Sequence, residues 1–253
     1  MAEAGTPYLS VVVPSYNESS NLARAVLNEL LTYLQNQDYD WELVLSDDGS
    51  TDGTPEQLAA FAQQDERIQM VNNPHAGKGP TVAAGMLAAK GQWRLFTDFD
   101  QSTSITELEK LLPYINDFQV VIGSREIKGA VRDKEPFYRH LMGRGFNFLV
   151  RFLAVPNIQD TQCGFKLFSA EATKTLFPRL HVYGSQQVRR DAFTGAFDVE
   201  LLFLARKLGF KIKEVPIVWH HHATDRVSPI KDSVRMLRDI VLIRWAHLTK
   251  KYR

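Results

Sequence analysis

Apolar and polar positions fall into alternating blocks along the first half of this chain. LSVVVPSY (Leu9 to Tyr16) is short, apolar and β-branched, and reads as a strand stopped near a proline. NLARAVLNELLTYLQN follows with helical spacing, and Asn17, Ser19 and Ser20 are candidate caps. WELVLSDDGS predicts a second buried strand, TPEQLAAFAQQ a helix with Pro55 in its first turn, and IQMVNN a third strand. GPTVAAGMLAAKG reads as a small-residue helix, WRLFTDFD as a fourth strand, ITELEKLLPYIN as a helix and FQVVIGSR as a fifth strand. Continuous apolar strands joined by helices predict an α/β fold, a Rossmann-like, mostly parallel sheet flanked by helices on both faces.

In such sheets ligands bind at the carboxyl ends of the strands. Here those ends read PSYNE, SDDGSTDGT, TDFDQST and GSR, and the helix before strand four is entered through HAGKGP. Turn chemistry accounts for GSTDGT. It accounts poorly for Asp98 and Asp100, which flank Phe99 on what the pattern makes an extended segment. Strand alternation would then project both carboxylates one way and Phe99 the other. Two like charges on one face call for a cation, and hard oxygens without a neighbouring Cys or His suit Mg²⁺ or Mn²⁺ completed by phosphate oxygens. HAGKGPT lacks Walker spacing, with Gly79 after Lys78, and Val82 stands where a dinucleotide fingerprint needs glycine.

Composition changes the picture little. The chain has 253 residues, 44% hydrophobic and 23% charged, enough for one large domain. A formal net charge of +1 gives no field for nucleic acid. The single cysteine, Cys163, permits no internal disulfide, compatible with a reducing cytosol, and reads as a small buried side chain. The N-terminus does not read as a signal peptide, and no apolar run reaches the roughly 20 residues a spanning helix needs.

VVVPSYNES, SDDGSTDGT, HAGKGPTVAAGMLAAKG, FTDFDQST, IGSR, DTQCGFKLF and EVPIVW run in one order from about Leu9 to Trp219. In this the chain resembles the GT-A glycosyltransferases of family 2, and within them the polyprenyl- and dolichyl-phosphate sugar transferases. DTQCGFKLF with FDVELLFLARKLGFKIKEVPI leans to the glucosyltransferase branch. The resemblance implies a single GT-A domain over 1–253, with a nucleotide-sugar half at about 9–125, an acceptor half at about 126–222 and a C-terminal amphipathic helix at about 228–253. It implies an inverting, metal-dependent transfer of a hexose, glucose favoured, from a nucleoside-diphosphate sugar, UDP favoured, to a polyprenyl phosphate. Pro14, Tyr16 and Glu18 would line the nucleotide pocket, Asp47 and Asp48 match the acidic pair at base and ribose, and Gly77 and Lys78 belong to the same nucleotide-sugar set. Asp98 and Asp100 match the DxD motif that holds ribose and metal, with Gln101 or Ser102 as a further metal ligand. Arg125 and Arg139 correspond to arginines near phosphates, and Asp160 to an acidic residue near the acceptor. Two departures stand out: eukaryotic members of the branch usually begin with a transmembrane segment, and Phe99 replaces the usual small residue between the aspartates.

A lipid phosphate is already an anion, so positioning rather than proton abstraction would supply most of the rate. Two amphipathic, basic stretches, 137–155 and 234–253, read either as helices packed on the sheet or as contacts to anionic lipid, and imply a cytoplasmic protein peripheral at the cytoplasmic membrane face. YGSQQVRRDAFTG (183–195) is poorly periodic, a loop over the site or plain surface. His220 and His222 could share a metal by alternation, but no Cys or carboxylate at ligand spacing joins them. A soluble saccharide or small-alcohol acceptor, or a nucleotide-sugar-binding module without turnover, are the competing readings. Pairing with a second copy or with an integral membrane partner is left open by the sequence.

Overall fold

The computed structural model describes residues 5–133, 155–184, 195–221 and 229–252, with side chains masked for 229–233. The first five strands form where the pattern places them: β1 (Leu9–Ser15), β2 (Trp41–Asp47), β3 (Ile68–Asn72), β4 (Trp93–Thr97) and β5 (Val120–Ser124). β7 (Phe165–Ser169) and β8 (Ile212–Pro216) complete a seven-stranded sheet in the order β3-β2-β1-β4-β7-β5-β8. β1 pairs parallel with β2 and β4, β2 with β3, and β5 with β8. β7 runs antiparallel between β4 and β5, in register Thr97↔Phe165 and Ile122↔Lys166. A two-stranded parallel ribbon, β6 (Val131–Asp133) with β9 (Val218–His220), stands beside the sheet.

Side-chain alternation divides the core in two. Leu9, Val11, Val13, Leu43, Leu45, Leu95, Leu167 and Val215 belong to one cluster with α2 (Val26–Gln35) and α3 (Thr54–Ala62). Val12, Val44, Phe96, Val120, Ile122 and Phe168 belong to the other, with α4 (Lys78–Ala88), α6 (Ala170–Leu176), α7 (Phe197–Lys207) and α8 (Pro229–Leu248). Burial on both faces is why these strands read as continuous apolar runs.

Two expected helices are broken. The run from Asn21 is split into α1 (Ser19–Ala23) and α2, because Ala25 takes a left-handed φ of 57°. α1 begins after Glu18 with no side-chain cap. The run from Ile105 becomes a 3₁₀ turn, a short α5 (Leu108–Leu111) and a second 3₁₀ turn at Leu112–Tyr114, where Pro113 cannot continue the α-helical ladder. Among the described residues no helix is long and apolar enough to cross a membrane.

Candidate active site

β4 delivers Asp98 to the carboxyl edge of the sheet. The Asp98 backbone N–H donates to Gly164 O at 3.1 Å, one step past the β4–β7 ladder. The chain then turns: Gln101 N–H donates to Asp98 O at 3.2 Å, with Gln101 at a φ of 50°. Asp98-Phe99-Asp100 is therefore a turn rather than an extended segment, a correction to the strand reading. The cause is local. Asp100 Oδ1 accepts the Ser102 N–H at 2.9 Å, an Asp side chain bonding the backbone two residues on. Phe99 is buried in the core, and both carboxylates stay partly exposed.

Gly164 makes room for Asp98. A Cβ there would lie 2.1 Å from Asp98 Oδ2, so no other residue fits without moving the carboxylate. Across the cleft, Lys78 Nζ is ion-paired with Asp98 Oδ1. Burial would lower the Lys78 ammonium, but Asp98, Asp198 and Asp100 together raise it above its ordinary value. Lys78 opens α4, so its charge adds to the positive end of a helix.

SDDGS builds the other wall. Asp47, buried, accepts Ser15 Oγ at 3.0 Å, Ser50 Oγ at 2.6 Å and Ser50 N–H at 2.8 Å. Asp48, also buried, accepts Ala76 N–H at 2.8 Å and Gly77 N–H at 3.0 Å, and meets His75 Nδ1 at 2.8 Å. Both carboxylates of this expected base-and-ribose pair hold protein groups, and Asp48 fixes the loop that presents Lys78. Gly77 sits at φ 95°, ψ 171°, a conformation open only to glycine, and donates its N–H to Asp48. The Tyr16 ring stacks on His75, centroids 4.1 Å apart and 6° from parallel, so one face of the expected base platform is covered. Pro14 is buried in β1. Glu18, also buried, accepts Asn21 Nδ2 at 2.5 Å.

Beyond β5, Arg125 and Asp160 form one unit. Arg125 Nε and Nη2 bind Asp160 Oδ2 and Oδ1 at 2.7 and 2.9 Å, and the Arg125 backbone N–H donates to Oδ2 at 2.9 Å. Asp160 is fully buried. Burial would raise its carboxyl, but the guanidinium and the backbone donor hold it at about 2. Burial would lower Arg125, and Asp160 raises it instead. Asp160 is thus a fixed anion rather than a proton acceptor. The fork of Arg125 that the sequence assigned to phosphate is engaged internally, and its guanidinium lies 5.4 Å over the Trp219 ring.

Lys166 and Asp198 form a third pair that sequence reasoning missed. Lys166 Nζ, fully buried on β7, binds Asp198 Oδ1 at 2.5 Å and also donates to Cys163 O. Burial raises Asp198 despite Lys166 and Lys78. Nothing local in DTQCGFKLF marks the lysine as internal. Burial pushes the Cys163 thiol up to about 12, which makes it a packing residue and not a nucleophile.

The ribbon braces the turn after Asp98. His220 N–H donates to Ser102 O at 2.8 Å, and Val218 N–H to Glu107 Oε2 at 2.9 Å. His220 Nδ1 lies 3.2 Å from Asp133 Oδ2. His222, Arg139 and 137–154 lie outside the described residues, as do 185–194 of the expected loop.

Divalent-metal fit turns on oxygen donors. Gln101 Oε1 is buried without a hydrogen-bond partner, while Gln101 Nε2 donates to Asp98 O at 2.9 Å. Brought to one ion, that oxygen with Asp98 and Asp100 would supply an all-oxygen set of the kind Mg²⁺ or Mn²⁺ takes. Among the described residues no three His, Cys, Asp or Glu side chains form a metal-holding group by themselves, so such a set must be completed by ligand oxygens. Ser102, buried, contributes its backbone to Asp100 and Ser102 O to His220.

The chain is 35% identical over 249 residues to a dolichyl-phosphate beta-glucosyltransferase of Trichomonas vaginalis, covering 93% of this chain and 70% of that protein. It is 33% identical over 267 residues to the dolichyl-phosphate beta-glucosyltransferase of Saccharomyces cerevisiae, covering 97% and 77%. In fold it resembles glucosyl-3-phosphoglycerate synthase from Mycobacterium tuberculosis, solved with Mn²⁺, UDP and glucosyl-3-phosphoglycerate, at a TM-score of 0.62 and 19% identity over 98% of this chain and 81% of that one. Residues 10–177 match Glycosyl transferase family 2, and the chain belongs to that family.

Proposed function

We propose that this chain transfers glucose from UDP-glucose to a dolichyl or other polyprenyl phosphate, with inversion and with Mg²⁺ or Mn²⁺. The observation that carries the reading is the continuous similarity to dolichyl-phosphate beta-glucosyltransferases across a site whose cations and carboxylates converge on one strand edge. Asp98, Asp100 and Gln101 would hold the metal, which as a Lewis acid offsets charge growing on the leaving diphosphate.

The protein's own groups do the rest. Lys78 and the first turn of α4 supply positive charge beside Asp98, placed before reaction by Asp48 and Gly77. Donor diphosphate entering this edge competes with Asp98 for Lys78. Arg125, held rigid by Asp160, presents a fixed cation toward the acceptor side without the cost of ordering a free arginine. Arg139 is the acceptor-phosphate candidate by its place in the motif order. A lipid phosphate needs no general base, which suits a site whose Asp160 stays ionised and paired.

A thermal-shift panel of UDP, GDP and their sugars with Mg²⁺, Mn²⁺ or EDTA tests the donor half. Ligand at about 100 times its Kd adds about 2.7 kcal/mol. For a chain of this size that raises Tm by roughly 5–10 °C. UDP with metal should give the largest shift and EDTA should remove most of it. A larger shift with GDP would reverse the base assignment, and equal shifts with and without metal would remove Asp100 and Gln101 from the metal role.

A further inference from the structure

α8 has two apolar faces. Ile240, Ile243 and Ala246 are buried in the core beside α7. Val234, Leu237, Val241, Trp245 and Leu248 face outward at helical spacing, with Val234, Trp245 and Leu248 at 65%, 65% and 70% exposure. Leu242 widens the stripe. Single exposed apolar residues are ordinary, but a continuous row along a helix marks an interaction surface.

The stripe is flanked by cations. Arg238, Arg244, Lys250 and Lys251 are exposed along and beyond it. The acidic residue in its middle, Asp239, turns to the Tyr183 hydroxyl. At the C-terminal end the stripe runs into a cavity of about 360 Å³ lined by Lys207, His247, Leu248, Lys250 and Tyr252. Leu248 belongs to both, so apolar row and basic cavity meet. Lys207 Nζ donates to Tyr252 O at 2.6 Å, which holds the cation at the cavity wall, and His247 Nδ1 is buried there without a partner.

This charge pattern selects the occupant. A second copy docking by the same face would bring like charges together, which opposes association. An anionic bilayer complements both parts: apolar side chains and a tryptophan at the headgroup boundary, cations against lipid phosphates. α8 carries too many charged residues to span, and its 20 residues make a rod of about 30 Å able to lie in the plane.

We propose that α8 is an in-plane docking helix for an anionic phospholipid surface, with the Lys207–His247–Lys250 cavity seating a lipid phosphate. This goes beyond the transfer reaction and needs neither donor nor acceptor. The test is co-sedimentation of the full chain with vesicles of phosphatidylcholine, alone or mixed with phosphatidylserine, without nucleotide or polyprenyl phosphate. The mixed vesicles should bind at least about tenfold more tightly, and about 0.5 M salt should remove most of that gain. Trp245→Ser with Leu248→Ser should weaken binding about tenfold while circular dichroism and Tm stay unchanged, because both side chains are exposed. Lys250→Glu should reduce the preference for phosphatidylserine. Wild-type protein that ignores the mixed vesicles, or a double variant that binds them as well as wild type, overturns the proposal. So does a double variant that converts a dimer to a monomer in sedimentation velocity.

Discussion

Asp160 carries its charge fully buried, supported by the Arg125 guanidinium, by the backbone N–H groups of Arg125 and Gln162, and by the field of Lys166. Asp160→Asn strands the guanidinium, and breaking such a buried pair should cost about 3–5 kcal/mol in urea unfolding. The carboxyl lies at about 2 when folded, below its ordinary 3.8, so its contribution is complete above 3.8 and is lost as pH falls toward 2. The difference between wild type and variant should narrow over that window; a constant difference down to the acid limit would contradict the pairing. Gly164→Ala should place a methyl group against the Asp98 carboxylate and lower transfer by a factor of about 100, the scale expected for displacing a site group by about 1 Å. Near-normal kcat/KM in that variant would show that the carboxylate can shift without consequence. Asp98 and Asp100 drew attention in the sequence as two carboxylates at a strand end, although the segment is a turn in which Asp100 accepts the Ser102 N–H. Gly164 and Lys166 were not legible, because their partners Asp98 and Asp198 are brought to them by an antiparallel pairing and a helix that local pattern does not specify.

At the scale of elements, the pattern served best where both faces are buried and worst where one residue breaks a run. β1 to β5 followed from their apolar runs. The split at Ala25 did not, since alanine favours helix and only tertiary packing holds it at a positive φ. No strand was assigned to FKLFS from the sequence, and the antiparallel β7 emerged only from pairing. α7 illustrates a role hidden in a helical run. Its buried Glu200 accepts the N–H groups of His181, Val182 and Tyr183 at 2.7, 2.8 and 3.0 Å and the Tyr252 hydroxyl at 2.7 Å. Glu200→Ala leaves those donors unsatisfied, and at about 1–3 kcal/mol for each buried group the variant should lose most of its stability. Tyr252→Phe removes one of the four bonds and should cost about 1 kcal/mol, read as a lower urea midpoint with unchanged slope. Indistinguishable midpoints for both variants would deny that α7 ties the 181–183 segment to the C-terminus.

For the whole molecule, the order of motifs along the chain was the most informative signal: PSYNE, SDDGS, TDFDQST and GSR lie at the carboxyl ends of β1, β2, β4 and β5, and DTQCG leads into the antiparallel β7 at the same edge. Charge balance at that edge was not legible: Lys78–Asp98, Arg125–Asp160 and Lys166–Asp198 join residues far apart in sequence. The central claim is transfer of glucose to a lipid phosphate, and one measurement addresses it most directly. Purified protein is given UDP-glucose labelled in the sugar, Mg²⁺ or Mn²⁺, and equal concentrations of a polyprenyl phosphate and a panel of soluble sugars and alcohols, and label is counted in the organic and aqueous products. The expected result is label in a mild-acid-labile glucosyl phospholipid, lost with EDTA and lost in Asp98→Asn. Label carried mainly by a soluble acceptor, or equal lipid product from wild type and Asp98→Asn, would contradict it.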